Sequence, residues 1–214
     1  MRRIFPSPRT DIWTGVLAVL IYMIRHGQTD WNAEGRLQGQ KDIDLNALGR
    51  QQASDNGRTL LAELGDQAEA FDYVASPLGR TRETMERVRD AMGLDPHNYR
   101  LDERLKEVSF GDWEGSTIAE IKQHSPDRVK ERRLHKWDFI PPGEAAESYE
   151  ILSWRVGAWL NSVERPTVCV THGGVVRSVF RLIGQWAKDE ACDMGVPQDR
   201  VLKIDRDGSL VDWL

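Results

Sequence analysis

Two histidines and two arginines mark points at which apolar runs of the sequence end. His26 and His172, two of the chain's five histidines, each end such a run and precede a glycine. Arg25 stands beside His26, and Arg80 follows a third apolar run. A single histidine at such a point is usually a hydrogen-bonded turn residue, but imidazole is also a nucleophile and guanidinium forks match phosphate oxygens in pairs. The four residues together predict a site for a phosphate dianion.

The elements that would position these residues alternate between strand and helix. Buried strands are predicted at 16–24, 71–75 and 167–171, and helices at 47–64, 80–92, 149–163 and from 175 to about 184. A last hairpin is predicted from 201–204 and 210–213, with its turn at 207–208. The alternation predicts an α/β fold, a three-layer α/β/α sandwich with a mostly parallel central sheet. Ligands of such sheets bind at the carboxyl ends of the strands, where His26, Arg80 and His172 would meet.

Local signals add detail to this arrangement. Asn46 has the residue type that caps a helix, here the one at 47–64. Arg80 would begin a helix, whose free N–H groups favour an anion. The glycines after the two histidines would let backbone N–H groups approach that anion closely. Residues 107–110 predict a short strand or a sheet edge.

Four segments, in this order, resemble the motifs of the histidine phosphatase superfamily, which includes the cofactor-dependent phosphoglycerate mutases. They are Arg25-His26-Gly27-Gln28-Thr29-Asp30-Trp31-Asn32, Ser76-Pro77-Leu78-Gly79-Arg80-Thr81, Glu107-Val108-Ser109-Phe110-Gly111-Asp112-Trp113-Glu114-Gly115 and Thr171-His172-Gly173-Gly174. Arg-His-Gly alone would be a weak signal, but four ordered motifs are a strong one. The resemblance implies a phosphoglycerate mutase-like fold and a single domain at 17–214.

The resemblance also implies roles for individual residues. His26 would be the nucleophile that becomes a phosphohistidine, and Glu107 the general acid and then the general base. Three residues would bind the phosphoryl oxygens: Arg25, Arg80 and His172. Four more would contact the substrate: Asn32, Thr29, Gln38 and Gly173. From the residues alone the acid is less certain, because Glu103 and Glu114 lie close to Glu107 in the sequence.

The positive charge of the motifs indicates that no metal is required. Mg²⁺ often neutralises a transferring phosphoryl group, but Arg25 and Arg80, with a protonated His172 as a candidate third cation, could take its place. The sequence also has no cluster of carboxylates spaced like a metal cage. We therefore predict a metal-independent phosphomonoesterase without a cofactor.

Three functions remain open for this set of residues. The segment Phe110-Gly111-Asp112-Trp113-Glu114-Gly115 resembles the phosphatase branch, which includes the α-ribazole and broad-specificity phosphatases, and favours a phosphatase acting on a small phosphorylated metabolite. A cofactor-dependent phosphoglycerate mutase is the second reading, because the two activities share their histidines. A non-catalytic phosphate-binding scaffold is the third, although all five principal site residues are present.

Composition excludes several classes of partner. The net charge of -5 disfavours a nucleic-acid binder, and the apolar run before Arg25 is too short to span a membrane. The two cysteines do not make a disulfide framework, and reduced cysteines fit a cytoplasmic protein. No pattern in the sequence indicates the oligomeric state.

Two segments lie outside the regular pattern. Residues 1–16 are interpreted as an N-terminal extension, and residues 112–147 as a helical and loop excursion over the domain. Four residues of the excursion, Trp113, Trp137, Phe139 and His135, could line the mouth of a pocket, but packing of the excursion onto the core is the favoured interpretation.

Overall fold

The computed structural model of the protein describes residues 19–205 and 209–214. The predicted extension at 1–16 and the predicted turn at 207–208 lie outside these residues. The strands are β1 Leu20–Arg25, β2 Asp72–Ala75, β3 Arg100–Leu101, β4 Thr167–Thr171, β5 Val201–Asp205 and β6 Ser209–Trp213. The helices are α1 Asp30–Ala33, α2 Ala47–Leu64, α3 Gly79–Ala91, α4 Ile118–His124, α5 Pro126–Leu134, α6 Tyr149–Asn161, α7 Gly173–Leu182 and α8 Lys188–Asp193.

The six strands form one mixed sheet in the order β3-β2-β4-β1-β5-β6. The pairs β1–β4, β2–β4 and β2–β3 are parallel, whereas β5 is antiparallel to both β1 and β6. The central strands β1 and β4 therefore end side by side, and the chain leaves both of them at the same edge. His26 and His172 are the next residues, so the topology itself brings the two histidines together.

Side chains of β1 alternate between two cores, one on each face of the sheet. Ile21 and Met23 pack with residues of α6 and α7, while Tyr22 and Ile24 pack with residues of α2 and α3. A strand buried on both faces reads as a continuous apolar run, as seen at 20–24. The predicted α/β/α sandwich with a mostly parallel sheet is confirmed.

One predicted element is wrong. Residues 107–110 form neither a strand nor a sheet edge. The strand that follows β2 along the chain is instead the two-residue β3. The backbone N–H of Ser109 donates to Glu147, that of Phe110 donates to Glu114, and that of Val108 donates to the Glu107 carboxylate. Side-chain carboxylates thus satisfy backbone groups that a strand would pair in a ladder.

Residues 112–147, the predicted excursion, contain α4 and α5 joined by loops. Trp113 and Phe139 stack with ring centroids 5.2 Å apart, and Trp137 stacks on Tyr149 of α6 at 5.6 Å. All three aromatic residues of the excursion are buried. Packing, rather than lining of a pocket mouth, is therefore confirmed as their main role.

Candidate active site

His26 is buried at the end of β1, and the hydrogen bonds of its ring define its tautomer. Nδ1 lies 2.8 Å from the carbonyl oxygen of Gly27, which can only accept, so Nδ1 carries the proton. Nε2 accepts from Nε of Arg80 at 3.3 Å. Burial, and then the charges of Arg80 and Arg25, lower the pKa of His26 well below its ordinary value. The ring is therefore neutral near pH 7, and its Nε2 lone pair can attack an electrophile once the hydrogen bond from Arg80 is released.

Arg80 is a buried cation whose guanidinium connects the two histidines. Its NH2 group donates to Nδ1 of His172 at 3.3 Å and to the carbonyl oxygen of Gly39 at 2.7 Å, and NH1 donates to the carbonyl of Lys41 at 2.7 Å. Burial lowers the pKa of Arg80 from its ordinary value. Because backbone carbonyls hold much of the fork, the guanidinium stays fixed against Nε2 of His26.

His172 completes this buried row. Since its Nδ1 accepts from Arg80, its Nε2 carries the proton and donates to Oγ of Ser76 at 2.8 Å. The two imidazole rings lie edge to face with centroids 5.2 Å apart. Burial, followed by the charge of Arg80, lowers the pKa of His172 well below its ordinary value. Burial and the neighbouring cations therefore favour the neutral ring, whereas the sequence offered a protonated His172 as a candidate third cation.

Arg25 extends from the end of β1, and only part of its guanidinium is hydrogen-bonded to the described residues. NH1 donates to the carbonyl oxygen of Val196 at 2.7 Å, while the buried Nε has no hydrogen-bond partner among the described residues. Burial lowers the pKa of Arg25 to about 10, although the charge of Glu107 opposes the shift. A Cβ built on Gly173 would lie 3.5 Å from this Nε. An unpaired guanidinium N–H beside a glycine is suited to an anionic oxygen, which would restore its hydrogen bond.

Glu107 is held at the N-terminus of α7. Its two carboxylate oxygens both accept from the backbone N–H of Gly174, each at 3.1 Å, and one accepts from its own neighbour Val108 at 2.9 Å. The backbone carbonyl of Glu107 accepts from Gln40 at 3.1 Å and from Arg155 at 2.9 Å. A carboxyl group fixed in this way and partly buried has the geometry of a general acid or base.

A cavity of about 230 Å³ connects His26 with this carboxylate. Its lining comprises Arg25, His26, Asn32, Arg36, Leu37, Gln38, Gly39, Glu107, Phe110, Arg132, Lys136, Tyr149, Gly173 and Arg177. Cations outnumber the single carboxylate in this lining, so the cavity favours anions. A neutral histidine, an unpaired guanidinium and a carboxyl group around one small anion-binding cavity are suited to phosphoryl transfer.

Comparison with known proteins decides the family. The family model of the histidine phosphatase superfamily (branch 1) matches residues 21–212. The chain belongs to the histidine phosphatase superfamily. It is accordingly a phosphatase, a phosphoric monoester hydrolase that acts on a small phosphorylated metabolite.

Two curated relatives carry different activities in their names. A glucosyl-3-phosphoglycerate phosphatase of Mycobacterium tuberculosis is 34% identical over 171 residues, which cover 74% of this chain and 72% of the relative. A probable phosphoglycerate mutase GpmB of Shigella dysenteriae is 36% identical over 178 residues, which cover 78% of this chain and 77% of the relative. Both named activities handle phosphorylated glycerate derivatives.

Solved structures agree with the fold. A phosphoglycerate mutase from Thermus thermophilus superposes with a TM-score of 0.70 at 32% identity and covers 92% of this chain and 98% of its own. YhfR of Bacillus stearothermophilus has a TM-score of 0.70 at 29% identity, covering 87% of this chain and 90% of its own. The predicted phosphoglycerate mutase-like architecture is confirmed.

The predicted site residues of this histidine phosphatase divide into a lining and a layer behind it. Six line the cavity: Arg25, His26, Asn32, Gln38, Glu107 and Gly173. Arg80 and His172 are buried behind the nucleophile and reach it through hydrogen bonds. Thr29 does not line the cavity, contrary to the predicted substrate contact. It is fully buried, caps α1, and accepts a hydrogen bond from Gln38.

Two details of the anion site differ from the prediction. The N-terminus of α3 is not free for a ligand, because Asp42 accepts from the backbone N–H of Gly79 at 2.6 Å and of Arg80 at 3.4 Å. The glycine after His26 serves packing instead of an anion. A Cβ on Gly27 would lie 2.1 Å from the carbonyl oxygen of Gly49, so Gly27 allows α2 to approach β1.

The structure separates the three glutamates that the sequence left as alternatives. Glu107 lines the cavity. Glu103 is exposed and forms an ion pair with Lys106 at 2.6 Å. One oxygen of Glu114 accepts from the backbone N–H groups of Gln40 at 2.9 Å and Phe110 at 3.1 Å, so it joins two loops. Among these three, only Glu107 faces the nucleophile's cavity.

Sequence reasoning missed Gln198, which lies in the loop before β5. Its side-chain amide donates to the backbone carbonyl of His26 and to Oδ1 of Asn32, both at 3.0 Å. Its own backbone carbonyl accepts from Asn56 of α2 at 2.9 Å. Gln198 thereby fixes the nucleophile and Asn32 relative to each other. No local sequence signal marks it, because all of its partners are distant in the chain.

Sequence reasoning also missed Arg155 of α6. This guanidinium donates to the backbone carbonyls of Lys106 at 2.6 Å and Glu107 at 2.9 Å, and it forms an ion pair with Glu147 at 2.9 Å. It therefore fixes the irregular segment that carries the general acid candidate.

No group of three or more histidine, cysteine, aspartate and glutamate side chains within 19–205 and 209–214 could hold a metal ion. Over the same residues, every helix lacks either the length or the apolar composition that a bilayer crossing requires.

Proposed function

We propose that the protein hydrolyses phosphomonoesters without a metal, through a phosphohistidine on Nε2 of His26. The observation that carries the proposal is the tautomer of His26. The Gly27 carbonyl holds the proton on Nδ1, and the lone pair of Nε2 lies beside Arg80 at the wall of an anion-binding cavity. A neutral imidazole that is positioned in advance splits one difficult displacement into two easier ones.

In the first step, Nε2 of His26 attacks phosphorus, so that an N–P bond forms as the ester P–O bond breaks. Phosphoryl transfer depends on positioning and on neutralising charge. Arg80 contacts Nε2 and is therefore adjacent to the oxygens of a phosphoryl group bound there. The unpaired Nε–H of Arg25 supplies a donor from the cavity side. Both arginines would neutralise the negative charge of the phosphoryl group, which a metal ion neutralises in other phosphotransfer enzymes.

Glu107 handles the protons of both steps. Its carboxyl proton passes to the leaving alkoxide, and in the second step the same group takes a proton from the water that attacks phosphorus and releases His26. The bonds from Gly174 and Val108 keep the carboxyl in place as its charge changes.

The mutase reading shares all of these residues, and the 36% identical GpmB relative is a reason to test it. In a mutase the phosphohistidine survives and returns the phosphoryl group to a second hydroxyl, whereas in a phosphatase water intercepts it. The presence of His26 does not distinguish a mutase from a phosphatase, because both activities would use it. Inorganic phosphate as the product, instead of an isomerised phosphoglycerate, is the distinguishing observation.

The test is phosphate release from p-nitrophenyl phosphate in the presence of EDTA, with His26→Ala alongside. We expect the wild type to turn over and the variant to be inactive. His124→Ala, at an exposed position on α4, is the matched control and keeps full activity. Loss of wild-type activity in EDTA that added metal restores would contradict metal independence. Equal turnover by His26→Ala would contradict the nucleophile assignment.

A further inference from the structure

A second cavity, of about 620 Å³, lies away from His26 and takes no part in the mechanism above. It is bounded by the start of β2, the end of α3, and the loops that precede β3 and β4. Within the described part of the chain, no residue lines both this cavity and the one at His26. Asp72, the first residue of β2, borders the second cavity, whereas Ser76 follows β2 and contacts His172. About 13 Å of extended chain therefore separates the two sites.

Arg89, in the last turn of α3, is a buried cation in the wall of this second cavity, with 4% of its surface exposed. Its Nε donates to the carbonyl oxygen of Asp95 at 2.7 Å. Its guanidinium carbon lies 4.1 Å from the centroid of the Tyr73 ring, which is also buried. A hydrogen bond and a cation–π contact thus hold the guanidinium in one orientation. We refer to this space, with its buried wall of Arg89 and Tyr73, as the Arg89 cavity.

The other two nitrogens of this guanidinium, NH1 and NH2, remain available to a ligand. Of the residues that the structure describes, none accepts a hydrogen bond from them, and none places a carboxylate within ion-pair distance of Arg89. Burial lowers the pKa of Arg89 from its ordinary value, although Tyr73 and Asp95 oppose the shift. A role in closing the end of α3 accounts for Nε but leaves NH1 and NH2 unpaired. Donors that burial withholds from bulk water cost free energy when they lack acceptors, and an anion bound in the cavity would recover it.

The acidic side chains around the cavity do not neutralise this cation. Asp72 lies between Arg100 and Arg165, at 2.8 Å and 3.4 Å, so that two guanidiniums share one carboxylate. Glu69 and Asp95 are exposed, and water screens their charges. Positive charge therefore predominates in the buried part of the cavity.

The size and the lining suit a small polar ligand with an anionic end. Pockets that bind small molecules enclose about 300–1,000 Å³, a range that includes this cavity of about 620 Å³. The two free nitrogens of Arg89 can bind two oxygens of one carboxylate or phosphate group. At the exposed rim, the amide of Asn98 and the carboxylates of Glu69 and Asp95 can bind hydroxyl groups of the same ligand.

We propose that the Arg89 cavity is a second binding site, in which Arg89 holds the carboxylate or phosphate group of a small hydroxylated metabolite. Because the cavity and His172 lie at opposite ends of β2, the ligand binds without entering the site of phosphoryl transfer. The inference does not depend on the proposed function, since neither His26 nor Glu107 takes part in it.

The experiment titrates the isotope-labelled full chain with citrate and, separately, with inorganic phosphate, and follows each signal by NMR. Sodium chloride keeps the ionic strength constant, so that a general salt effect is removed. We expect at least one of the two anions to shift the amide signals of Leu94 and Tyr99 and the Nε–H signal of Arg89. The shifts should saturate with a Kd of about 1 mM or below. The tighter of the two anions identifies the ligand group, and the amide of Gly173 reports binding in the His26 cavity separately.

Variants attribute the binding to Arg89. Arg89→Gln should raise Kd about tenfold or more, because a charge-assisted contact is lost. Arg87→Gln is the matched control on α3, since the Arg87 side chain pairs with Glu83 at 2.9 Å and does not line the cavity. It should leave Kd unchanged. Asn98→Asp adds a negative charge at the exposed rim without disturbing the core and should raise Kd about fivefold, so the test does not rely on the folding of Arg89→Gln.

The outcomes decide the proposal in either direction. Saturable binding that Arg89→Gln or Asn98→Asp weakens, and Arg87→Gln does not, would establish an anion site away from the reaction. Absence of saturable shifts at Leu94 and Tyr99 with both anions would overturn the proposal, as would shifts confined to the His26 cavity. Equal Kd values in the wild type and in both cavity variants would also overturn it. Because no step measures phosphate release, failure of the proposed function would leave these results unchanged.

Discussion

The backbone N–H of Gly174 lies 3.1 Å from both carboxylate oxygens of Glu107. Gly174 is in the first turn of α7, and His172 is the residue that precedes that helix. One helix N-terminus therefore positions the general acid candidate, the second histidine and, through Gly173, the edge of the cavity. The irregular segment around Glu107 relies on α7 and on Arg155 for a geometry that it does not encode locally.

Glu107→Gln separates binding from proton transfer. The amide keeps the size of the carboxyl group but cannot donate a proton to a leaving alkoxide. We expect kcat/KM for alkyl phosphates, which reports transfer to His26, to fall by about 10²–10⁴-fold, with a much smaller loss of kcat/KM for p-nitrophenyl phosphate, whose leaving group needs little protonation. Vanadate inhibition should persist. The matched control is Glu103→Gln, at an exposed position. Equal activity of Glu107→Gln on alkyl esters would contradict the assignment.

Gly174→Ala tests the contact between α7 and the carboxylate. A Cβ at this position would lie 2.2 Å from Oε1 of Glu107, so the carboxyl group must move. We expect turnover of alkyl phosphates to fall about as far as in Glu107→Gln, since misplacing a catalytic group by about 1 Å costs on the order of 10²-fold. Gly157→Ala, inside α6, is the control, because its Cβ would meet only Leu182 at 3.7 Å. It should keep full activity. Unchanged kcat in Gly174→Ala would show that Glu107 needs no fixed position.

Gln198→Met removes the amide that joins the backbone of His26 to Asn32 while keeping the length of the side chain. Two hydrogen bonds are lost, so the free energy of unfolding should fall by about 1–2 kcal/mol. We expect kcat for p-nitrophenyl phosphate to fall about tenfold with a smaller change in KM, because the nucleophile loses its alignment. Gln51→Met, exposed on α2, is the control for both measurements. A fall in stability with unchanged kcat would reduce Gln198 to a purely structural role.

Acid should destabilise the protein through its two buried histidines. Burial lowers the pKa of His26 and His172 well below the ordinary value, whereas both titrate near 6.5 in the unfolded chain. Below about pH 6.5 the unfolded state therefore binds protons that the folded state does not, and each histidine lowers the free energy of unfolding by up to about 1.4 kcal/mol per pH unit. This loss continues until the folded-state pKa is reached.

Urea unfolding between pH 7.5 and 5.5 measures this effect. The slope of stability against pH should be smaller in His172→Asn than in the wild type, because one titrating group is gone. His124→Asn, at the exposed end of α4, controls for removing a histidine and should keep the wild-type slope. Identical slopes in His172→Asn and the wild type would contradict a neutral, buried His172.

The sequence was sufficient to predict the elements that carry strong local signals. The strand at 167–171 and the helix at 47–64, capped by Asn46, have the predicted bounds. Apolar runs, capping residues and glycines act within a few positions of one another, so one sequence displays them. Parallel strands then place His26 and His172 at the same edge of the sheet, and the meeting of the two histidines follows from topology.

What escaped prediction depends on contacts between distant segments. Residues 107–110 have the apolar character of a strand, but Glu114 and Glu147 pair with their backbone. Gln198 and Arg155 act on residues more than forty positions away. The neutral state of His172 follows from its burial, which no pattern in its own motif reveals. Such features require the tertiary structure.

In the proposed reaction, the phosphoryl group is transferred to Nε2 of His26. The most direct test is to mix the enzyme with p-nitrophenyl phosphate, which needs no general acid, in EDTA, quench within milliseconds in alkali, which preserves phosphohistidine, and locate the added phosphoryl group by mass spectrometry of peptides. We predict a phosphorylated peptide that contains His26 in the wild type, in larger amount in Gly174→Ala, and none in His26→Ala. A phosphoryl group on any other residue, or turnover by His26→Ala, would contradict the account.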